Sequence, residues 1–550
     1  MQPNNPLIYI VPLVASVVVS MAIIPVMIKL APYLGLMDRP DERKIHKIMV
    51  PRIGGIGIVL GSLLPIVLLI DLDKATHSYI LGSLLLFFFG LWDDKREIGH
   101  YVKFVGQFVA ALAVVVYGEL YVTRFPFFDA TPLPVYVGIP FTIFAIIKMI
   151  NATNHSDGLD GLAGGESLIS LVALAVLFYI AESESALIIA LAAIGGIYGF
   201  MRYNTHPARV FMGDSGSQFL GFTLAFLVLV LTQWVDRDIS PTVVLLLLGL
   251  PIIDLISVLI KRIRAGMNWF QATRNHLHHR LLDMGFVHQE TVVIIYAVQA
   301  LSVTAGVLLR HHDGWIILIV YLLLCVGLLM LIIIAEKKGW QCEHKSSSGK
   351  VALVFSHDNL RRLLVVLPRK FLGLSVSLYL VIMSFIVITV PRDFAVMSGL
   401  IFALMSIEIF FGPGPRSIMR RVLIYIIAVS VVYLGINFSP DDYIAMKPIT
   451  TVFFTLLAIA FAVAIKFSPH RREVEFNTTP MDYLVVVVLI ASLVASKGEL
   501  WGNDILLFVV QMTIILYTCE LLLTENRERW DSLSAGTLVS AIVLSIRGFF

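Results

Sequence analysis

The sequence predicts an all-α polytopic membrane protein, with about eleven transmembrane helices in a first part and about six more in a C-terminal extension. Two observations predict this fold class. Apolar residues make up 58% of the 550 residues, charged residues only 14%, and the mean hydropathy is +0.88. In addition, apolar stretches of roughly 20 residues, the length that crosses a bilayer core about 30 Å thick as a helix, follow one another with short polar loops between them.

The cysteines and the N-terminal stretch add two constraints. Cys325, Cys342 and Cys519 lie far apart without a CxxC pair, which indicates neither a disulfide framework nor a thiolate zinc site. The first 30 residues lack the basic region and small-residue cleavage site of a signal peptide. We therefore expect the stretch from Val11 to Leu30 to be a retained span.

Hydropathy places eleven spans in residues 1–335. They are predicted at 8–30, 53–70, 78–92, 104–122, 133–150, 167–181, 185–201, 217–234, 242–260, 292–309 and 314–335. If the N-terminus is outside, alternate loops contain sixteen Lys or Arg residues on one side and four on the other. The positive-inside rule assigns the basic side to the cytoplasm, and nearly every unusual polar cluster lies on that side.

A polar segment at 336–371 is predicted to be a cytoplasmic linker to a second membrane part at 372–550. The spans of this part are predicted at 373–390, 394–412, 422–437, 449–466, 481–496 and 503–523. Residues 535–550 are left unassigned, because this stretch is short and contains Arg547. No catalytic-looking cluster occurs in the second part, whose role could be docking, oligomerisation or partner binding.

Two acidic residues follow the third span directly. In GLWDDKREIG, Asp93 and Asp94 stand at a membrane boundary. Carboxylates are costly there unless they bind a cation, pair with basic groups or transfer protons. The alternative is a solvated helix end beside Lys95 and Arg96.

The segment NATNHSDGLDGLAGG after the fifth span contains two Asn and two Asp residues among four glycines. If Asp157 and Asp160 share a helical turn, their spacing of three puts both carboxylates on one face. Glycines permit close approach of a ligand to the backbone, and a helix N-terminus offers free N–H groups to phosphate or ribose. A plain glycine-rich connector would not require Asn151, Asn154 and the two Asp residues.

A third cluster lies in RYNTHPARVFMGDSGS, just before the eighth span. Asp214 could simply cap the following helix. Alternatively, with Asp93 and Asp94 from another loop, it supplies the carboxylates that one hard divalent cation on a diphosphate requires. Asn204 and Phe211 suit a nucleobase, through edge hydrogen bonds and ring stacking.

The largest loop, KRIRAGMNWFQATRNHLHHRLLDMGF, contains His276, His278 and His279 between Arg274 and Arg280. Zinc is the obvious alternative for clustered histidines. However, the spacing is neither HExxH nor of CxxC type, and the basic neighbours would repel a cation. The pattern therefore favours anion binding, and a diphosphate is a suitable anion.

A basic loop, DRPDERKIHKIMVPRIGGIG, joins the first two spans and contains Lys47 and Arg52. Such residues are often only topology determinants or contacts to anionic lipid. The paired glycines after Pro51 indicate a tight turn.

Together these segments resemble the polyprenyl-phosphate N-acetylhexosamine 1-phosphate transferase superfamily, which includes the MraY, WecA and TagO branches. The resemblance covers residues 1 to about 335 and rests on DRPDERKIHK with PRIGG, the DD of GLWDDK, NHSDGLDGLAGG, NTHPARVFMGDSGS and NHLHH. The form RNHLHHRLLDMGF is similar to the WecA/TagO branch, whereas the MraY pattern has three consecutive histidines. This favours UDP-N-acetylglucosamine, or a related UDP-N-acetylhexosamine, over UDP-MurNAc-pentapeptide.

The resemblance also implies residue roles. Asp214 would ligate Mg²⁺, with Mn²⁺ as a substitute, and Asp93 and Asp94 would serve the metal or the lipid phosphate, Asp94 as a second ligand. The three histidines would face the diphosphate as catalytic residues. The remaining substrate-binding residues, most of them around the uridine, would be Lys47, Asn154, Asp157, Asp160, Asn204 and Phe211. Lys47 aligns only loosely, and Arg52 stands where the MraY branch commonly has Thr.

The implied reaction is attack of a polyprenyl (undecaprenyl) phosphate oxygen on the sugar-linked phosphorus of a UDP-N-acetylhexosamine, with release of UMP. It would take place at the cytoplasmic face of a bacterial inner membrane, start a cell-envelope polysaccharide, and involve no nucleic acid. Asp93 or Asp94 could accept the proton of the acceptor, or an aspartyl-phosphate intermediate could form.

Two other classes of protein also place charge in a membrane. A transporter would show pseudo-repeats and midplane charges, whereas these clusters lie in loops on one side. An intramembrane aspartyl protease would need two Asp residues inside helices, whereas MGDSG has a lone GD at a loop boundary. The sequence therefore favours the transferase.

Overall fold

The computed structural model describes residues 7–38, 49–70, 73–96, 98–124, 132–264, 266, 276–342, 367–411, 418–437, 443–466, 511–512, 514–519, 521–523 and 531–549. The described residues up to 342 form one compact unit, and those from 367 onward form a second. Among them, twelve helices are long and apolar enough to cross a membrane. The prediction of an all-α polytopic membrane protein is thus confirmed.

Each of the eleven spans predicted before residue 336 corresponds to a helix of the first unit. With one short extra helix in the histidine loop, α10, the helices are α1 Leu7–Leu34, α2 Gly54–Leu69, α3 Lys74–Arg96, α4 His100–Leu112, α5 Val135–Ser156, α6 Leu162–Ile180, α7 Glu184–Asn204, α8 Gly213–Val230, α9 Val243–Arg264, α10 Leu277–Asp283, α11 His288–Leu309 and α12 Gly314–Lys337. Helices α4 and α8 continue as π-helical turns to Tyr117 and Val235.

Helix α8 lies at the centre of the first unit. It packs against α2, α3, α5, α6 and α7, and every residue from Ser215 to Val230 is buried. Helix α12, by contrast, exposes most of its apolar side chains, as expected for a helix that faces lipid. The N-terminus of α8 carries Asp214, so a buried helix fixes the backbone of this residue while its side chain stays partly exposed.

Two short strands lie beside the segment that leads into the N-terminus of α8. Strand β1 (Met37–Asp38) pairs antiparallel with β2 (Val50–Pro51). The next residue, Arg52, forms a parallel bridge with Phe211, and the amide of Gly55 donates to the carbonyl of Met212 at 2.8 Å. The PRIGG motif therefore fixes the segment that leads into Asp214.

The second unit consists of helices that pack on one another around a C-terminal helix. They are α13 Leu367–Ile386, α14 Arg392–Phe411, α15 Ile418–Asn437, α16 Tyr443–Lys466 and α17 Ser532–Phe549, together with helical residues at 511–512, 514–519 and 521–523. A buried ion pair, Arg420 Nε to Glu408 Oε2 at 2.7 Å, joins α15 to α14. The predicted span at 481–496 lies outside the described residues.

Helix α17 occupies the stretch that hydropathy left unassigned. Its one basic residue near the end, Arg547, donates to the backbone carbonyl of Ser384 at 3.1 Å and to that of Phe385. These hydrogen bonds satisfy the guanidinium within the second unit, which is why a charged residue is tolerated in an apolar helix.

Candidate active site

A lysine bridges two of the predicted acidic residues. The Nζ atom of Lys103, on α4, lies 2.6 Å from Asp93 Oδ2 and 2.8 Å from Asp214 Oδ2. Asp93 is buried, and its Oδ1 atom has no hydrogen-bond partner among the described residues. A buried carboxylate oxygen without a partner is costly, so this site favours additional positive charge.

Asp94 has a different environment from its neighbour. Its Oδ1 atom accepts the backbone N–H of Asp214 at 2.8 Å, and its Oδ2 atom accepts the N–H of Ser215 at 3.1 Å and the Ser215 hydroxyl at 2.9 Å. It therefore caps the N-terminus of α8, whose N-cap residue, Met212, offers no side-chain acceptor. The prediction that Asp94 is a metal ligand or catalytic residue stays a prediction, and the contacts favour a positioning role.

A glycine permits this approach of α3 to α8. A Cβ atom on Gly90 would lie 2.5 Å from the Cα atom of Ser215 and 2.6 Å from its backbone nitrogen. Any side chain at this position would push the N-terminus of α8 away from Asp94. The lack of a side chain at Gly90, in the apolar run before the DD motif, thus allows Asp94 to reach the N-terminus of α8.

Amide side chains connect α4, α5 and α8 below the carboxylates. Gln218 donates to Asp214 Oδ2 at 3.3 Å and receives a hydrogen bond from Gln107 at 3.2 Å, and Asn151 donates to Gln107 at 2.7 Å. Asn154 donates to the hydroxyl of Ser217 at 2.8 Å. These contacts place the end of α5 against the start of α8, and the substrate-binding role of Asn154 stays a prediction.

Asp157 follows α5 directly and lies among negative charges. Burial, followed by the charges of Asp214, Asp94 and Asp160, raises its pKa to about 7. A carboxyl group with this pKa is only partly ionised at neutral pH unless a cation or a hydrogen-bond donor joins it. A bound cation or a hydrogen-bond donor would therefore stabilise the ionised form of Asp157, as expected at a site that binds a nucleotide and a divalent cation.

Asp160 is held by the neighbouring loop. Its Oδ2 atom lies 2.7 Å from His206 Nδ1 and accepts the N–H of Ala208 at 3.1 Å. Burial opposes ionisation of Asp160, but the hydrogen bonds from His206 and Ala208 outweigh it and lower the pKa. The ring of His288 stacks on His206 at 4.1 Å.

Asp160, His206 and His288 also have ligand-type atoms within 4.8 Å of one another, an arrangement that could hold a metal ion. Each of the three already has a hydrogen bond or a ring contact, which accounts for the cluster without an ion. The contacts of Asp160 order the loop, and its contact with uridine stays a prediction.

Asn204 and Phe211 shape the same loop. Asn204 accepts the N–H of Gly161 at 2.8 Å and donates to the carbonyl of Val210 at 2.8 Å, so both ends of its amide are used within the protein. Phe211 is half-buried beside Arg52. Their nucleobase contacts stay predictions, and Lys47 lies outside the described residues.

An acidic residue inside α9 orients the first histidine of the loop. Asp254 Oδ2 lies 2.8 Å from His276 Nδ1, and Asp254 Oδ1 accepts the N–H of Leu277 at 2.7 Å. A carboxylate at Nδ1 selects the tautomer with a proton on that nitrogen and leaves Nε2 as an acceptor. The same carboxylate caps the N-terminus of α10.

The other loop histidines pack beside this pair. The rings of His276 and His278 stack at 5.7 Å, and those of His278 and His279 lie 4.3 Å apart. Burial, followed by the charge of His279, lowers the pKa of His278 to about 3. His278 is therefore uncharged at neutral pH, and the contact of the three histidines with a diphosphate stays a prediction.

The end of α5 joins the histidines to the carboxylates. The ring of His155 lies 5.7 Å from that of His276, while its neighbour Asn154 contacts Ser217 on α8. Gly158 lies against His278, since a Cβ atom there would be 2.4 Å from Nε2. All the predicted site residues that the structure describes therefore converge on one end of the helix bundle.

The residues present fit a divalent cation. Asp93 has a buried oxygen without a hydrogen-bond partner among the described residues, and Asp214 pairs with the same lysine as Asp93. Burial, followed by the charge of Asp214, raises the pKa of Asp157. Carboxylate oxygens are the ligands that Mg²⁺ prefers. Lys103 provides the positive charge between two of these carboxylates.

Sequence reasoning missed two residues of this site. Lys103 stands one residue before a predicted span, and Asp254 stands inside another, in LLLLGLPIIDLISV. An ionisable residue at membrane depth is by itself an indication of function. That signal was present for Asp254 and would have found it, whereas Lys103, just outside a predicted span, carried no such signal.

Comparison with known proteins gives concordant results. Residues 76–232 match the model of glycosyl transferase family 4. The chain is 30% identical over 332 residues to a probable undecaprenyl-phosphate N-acetylglucosaminyl 1-phosphate transferase of Bacillus subtilis, covering 60% of this chain and 92% of the relative. It is 30% identical over 304 residues to the undecaprenyl-phosphate alpha-N-acetylglucosaminyl 1-phosphate transferase of Escherichia coli K12, covering 54% and 83%. This chain therefore belongs to the polyprenyl-phosphate N-acetylhexosamine 1-phosphate transferase superfamily, within glycosyl transferase family 4.

Proposed function

We propose that this protein transfers N-acetylglucosamine 1-phosphate from UDP-N-acetylglucosamine to undecaprenyl phosphate and releases UMP. The observation that carries the proposal is the arrangement of Asp93, Lys103 and Asp214 at the same end of the bundle as an oriented histidine, His276. Reaction between two anionic phosphates requires charge neutralisation, and this arrangement would supply it with a divalent cation bound to the carboxylates. The names of the relatives support the acceptor and the sugar.

Mg²⁺, with Mn²⁺ as a substitute, would be held by Asp93 and Asp214. Bound there, the ion would neutralise the negative charge of the donor diphosphate. Asp94 would act through Asp214, because its carboxylate fixes the backbone of Asp214 and Ser215. This assignment moves the second metal ligand from Asp94 to Asp93, whose Oδ1 atom is free of hydrogen bonds among the described residues.

The protein's own side chains would orient the reactants and handle the proton. Lys103 would hold phosphate charge beside the two carboxylates. His276, whose Nε2 atom is left as an acceptor by Asp254, would take the proton of the acceptor phosphate when that group arrives protonated. Neutral His278 would donate a hydrogen bond to an oxygen of the diphosphate. These groups would meet charge as it develops on the leaving UMP.

The proposed orientation places the site at the cytoplasmic face of a bacterial inner membrane. The site residues lie at helix ends and in loops on the side that is rich in Lys and Arg. UDP-sugars are soluble and anionic, so a site at this face suits the donor, while the surrounding apolar helices suit the acceptor lipid. The product would start a cell-envelope polysaccharide.

We further propose that residues 372–550 are accessory to catalysis. Every cluster assigned to the chemistry lies in the first unit. A chain ending near Arg369 should insert, bind the UDP-sugar and retain transferase activity in detergent with added undecaprenyl phosphate. A folded but inactive shortened chain, whose activity returns when the remainder is supplied separately, would show that the extension contributes to catalysis.

A donor panel tests the choice of sugar. Purified protein should release UMP from UDP-N-acetylglucosamine with a higher kcat/KM than from UDP-N-acetylgalactosamine or UDP-MurNAc-pentapeptide, in each case with undecaprenyl phosphate present. Preference for the pentapeptide donor would place the activity with the MraY branch. Preference for the galactose isomer would keep the reaction and change the sugar.

A further inference from the structure

The helix that carries His278 and His279 ends in a Schellman turn. Helix α10 ends at Asp283, and Gly285, two residues later, has φ +89°. The N–H of Phe286 donates to the carbonyl of Leu281 at 3.3 Å, and the N–H of Gly285 donates to that of Leu282 at 2.9 Å. This pair of hydrogen bonds, with glycine in the left-handed region, defines the motif.

Helix α12 ends in the same way. Gly339 has φ +60°; the N–H of Trp340 bonds to the carbonyl of Ala335 at 3.0 Å and that of Gly339 to the carbonyl of Glu336 at 3.1 Å. Trp340 is thus the counterpart of Phe286 in its own turn. The sequence shows both motifs as a glycine followed by an aromatic residue, in DMGF and KKGW.

The two turns pack directly on each other. The rings of Phe286 and Trp340 lie 5.6 Å apart at 44°, and the N–H of Cys342 donates to the carbonyl of Met284 at 2.9 Å. That carbonyl belongs to the end of α10, where backbone acceptors lack partners within the helix. The chain after α12 therefore completes the C-terminal end of the histidine helix.

An ion pair adds a third contact. Arg280 donates from Nε and Nη2 to the two carboxylate oxygens of Glu336, at 2.6 and 2.8 Å. The side chain of Arg280 is 5% exposed, whereas that of Glu336 is 38% exposed. A bidentate pair fixes direction as well as distance, and loss of Glu336 would leave a buried guanidinium without this partner.

We propose that residues 336–342, here named the α12 strap, position the histidine helix for phosphate transfer, with Glu336 and Trp340 as positioning residues. A seven-residue helix is too short to be stable alone, so its orientation must come from its contacts. Asp254 holds its N-terminal end, and the strap holds its C-terminal half. The expected effect on kcat rests on the proposed function, whereas the expected effect on the orientation of α10 does not.

The strap also changes where the catalytic unit ends. Hydropathy places its boundary at 335 and assigns the following polar residues to a linker. The contacts of Glu336, Trp340 and Cys342 make these residues part of the histidine site. The catalytic unit therefore extends at least to Cys342.

The test uses the full-length protein with Glu336→Gln and Trp340→Ala, and with Lys337→Gln as a matched control. Lys337 is the exposed neighbour of Glu336. Steady-state kinetics are measured with UDP-N-acetylglucosamine and undecaprenyl phosphate, at a temperature well below the Tm of each variant. Hydrogen–deuterium exchange is measured on the same proteins. The exchange readout needs no activity, so absent turnover in the wild type would refute the proposed function and still leave the strap testable.

For both strap variants we expect kcat to fall about tenfold or more, because a small misplacement of a catalytic group is costly, with little change in KM for the donor. Exchange should rise in the peptides covering 277–284 and stay unchanged in α8. Lys337→Gln should match the wild type in both measurements. Unchanged exchange at 277–284, unchanged kcat, or a rise in exchange throughout the first unit would each overturn the proposal.

Discussion

Asp254 and His276 form a single unit: the carboxylate lies 2.8 Å from Nδ1 of the imidazole and at the same time accepts the backbone N–H of Leu277. One side chain thus orients a histidine and caps the helix that follows it. Asp254 belongs to α9, so the pair connects the membrane helices to the histidine loop. A catalytic role for His276 therefore depends on a residue that lies outside the motif.

The first prediction concerns this pair. Asp254→Asn keeps the shape of the side chain, but an amide can present its N–H₂ group to Nδ1 and so favour the opposite tautomer. We expect kcat to fall at least about tenfold, as for loss of an oriented acid–base group. Asp283→Asn, an exposed position on α10, is the control. A kcat near that of the wild type would show that the pair only supports the fold.

The second prediction concerns Lys103. In Lys103→Gln the carboxylates of Asp93 and Asp214 lose their shared cation, so without metal they repel each other more strongly. We expect a lower Tm in EDTA and a larger rise in Tm on addition of Mg²⁺ than in the wild type, because binding to the folded state stabilises it. Equal Mg²⁺-induced shifts in both proteins would argue against a cation site between these carboxylates.

The third prediction concerns Asp214. Asp214→Asn should abolish turnover while the protein stays folded, because an amide lacks the charge that a hard cation requires. EDTA should silence the wild type, and Mg²⁺ or Mn²⁺ should restore it. Bound Mn²⁺ measured by electron paramagnetic resonance should be lost in the variant. Activity retained at saturating Mg²⁺ would remove Asp214 from the metal site, and restoration by zinc alone would favour a histidine–zinc site.

The fourth prediction concerns pH. Asp157 has a pKa of about 7 in the folded protein, above its usual value, so the folded state binds the proton more tightly than the unfolded state. Its contribution therefore makes stability fall as pH rises from about 4 to about 7, and the loss is complete above that range.

The substitution Asp157→Asn removes this loss of folding stability at higher pH. In EDTA at pH 8 the variant should be more stable than the wild type, by up to about 4 kcal/mol at 1.36 kcal/mol per pKa unit. At pH 4 the two should be similar, and the variant should bind UDP-sugar more weakly. Thermal unfolding in detergent at both pH values measures this effect. An equal difference at pH 4 and pH 8 would show that the pKa of Asp157 is not raised.

Much of the architecture could be predicted because a bilayer imposes a simple rule on the sequence. Each apolar run before residue 336 became a helix, and the motifs brought the predicted residues to one end of the bundle. The partners of these residues were harder to predict. Hydropathy assigns Lys103 to a loop and Asp254 to a span, and it cannot show which carboxylate a lysine will contact.

Other features depend on tertiary contacts that no local pattern contains. The adjacent residues Asp93 and Asp94 look equivalent in sequence, yet one faces Lys103 and the other caps α8. In the sequence, Arg547 disfavours a membrane helix. In the structure, backbone carbonyls of α13 accept its hydrogen bonds. The glycine–aromatic pairs of the α12 strap are recognisable as helix ends, but their packing on each other is visible only in the structure.

The most direct test of the account is release of UMP by the purified protein in detergent with UDP-N-acetylglucosamine, undecaprenyl phosphate and Mg²⁺. We expect one UMP for each lipid-linked diphosphate sugar formed, no release without the acceptor lipid, and none in EDTA. Folded protein that forms no lipid-linked sugar from any UDP-N-acetylhexosamine, or that releases UMP without undecaprenyl phosphate, would contradict the proposed transferase.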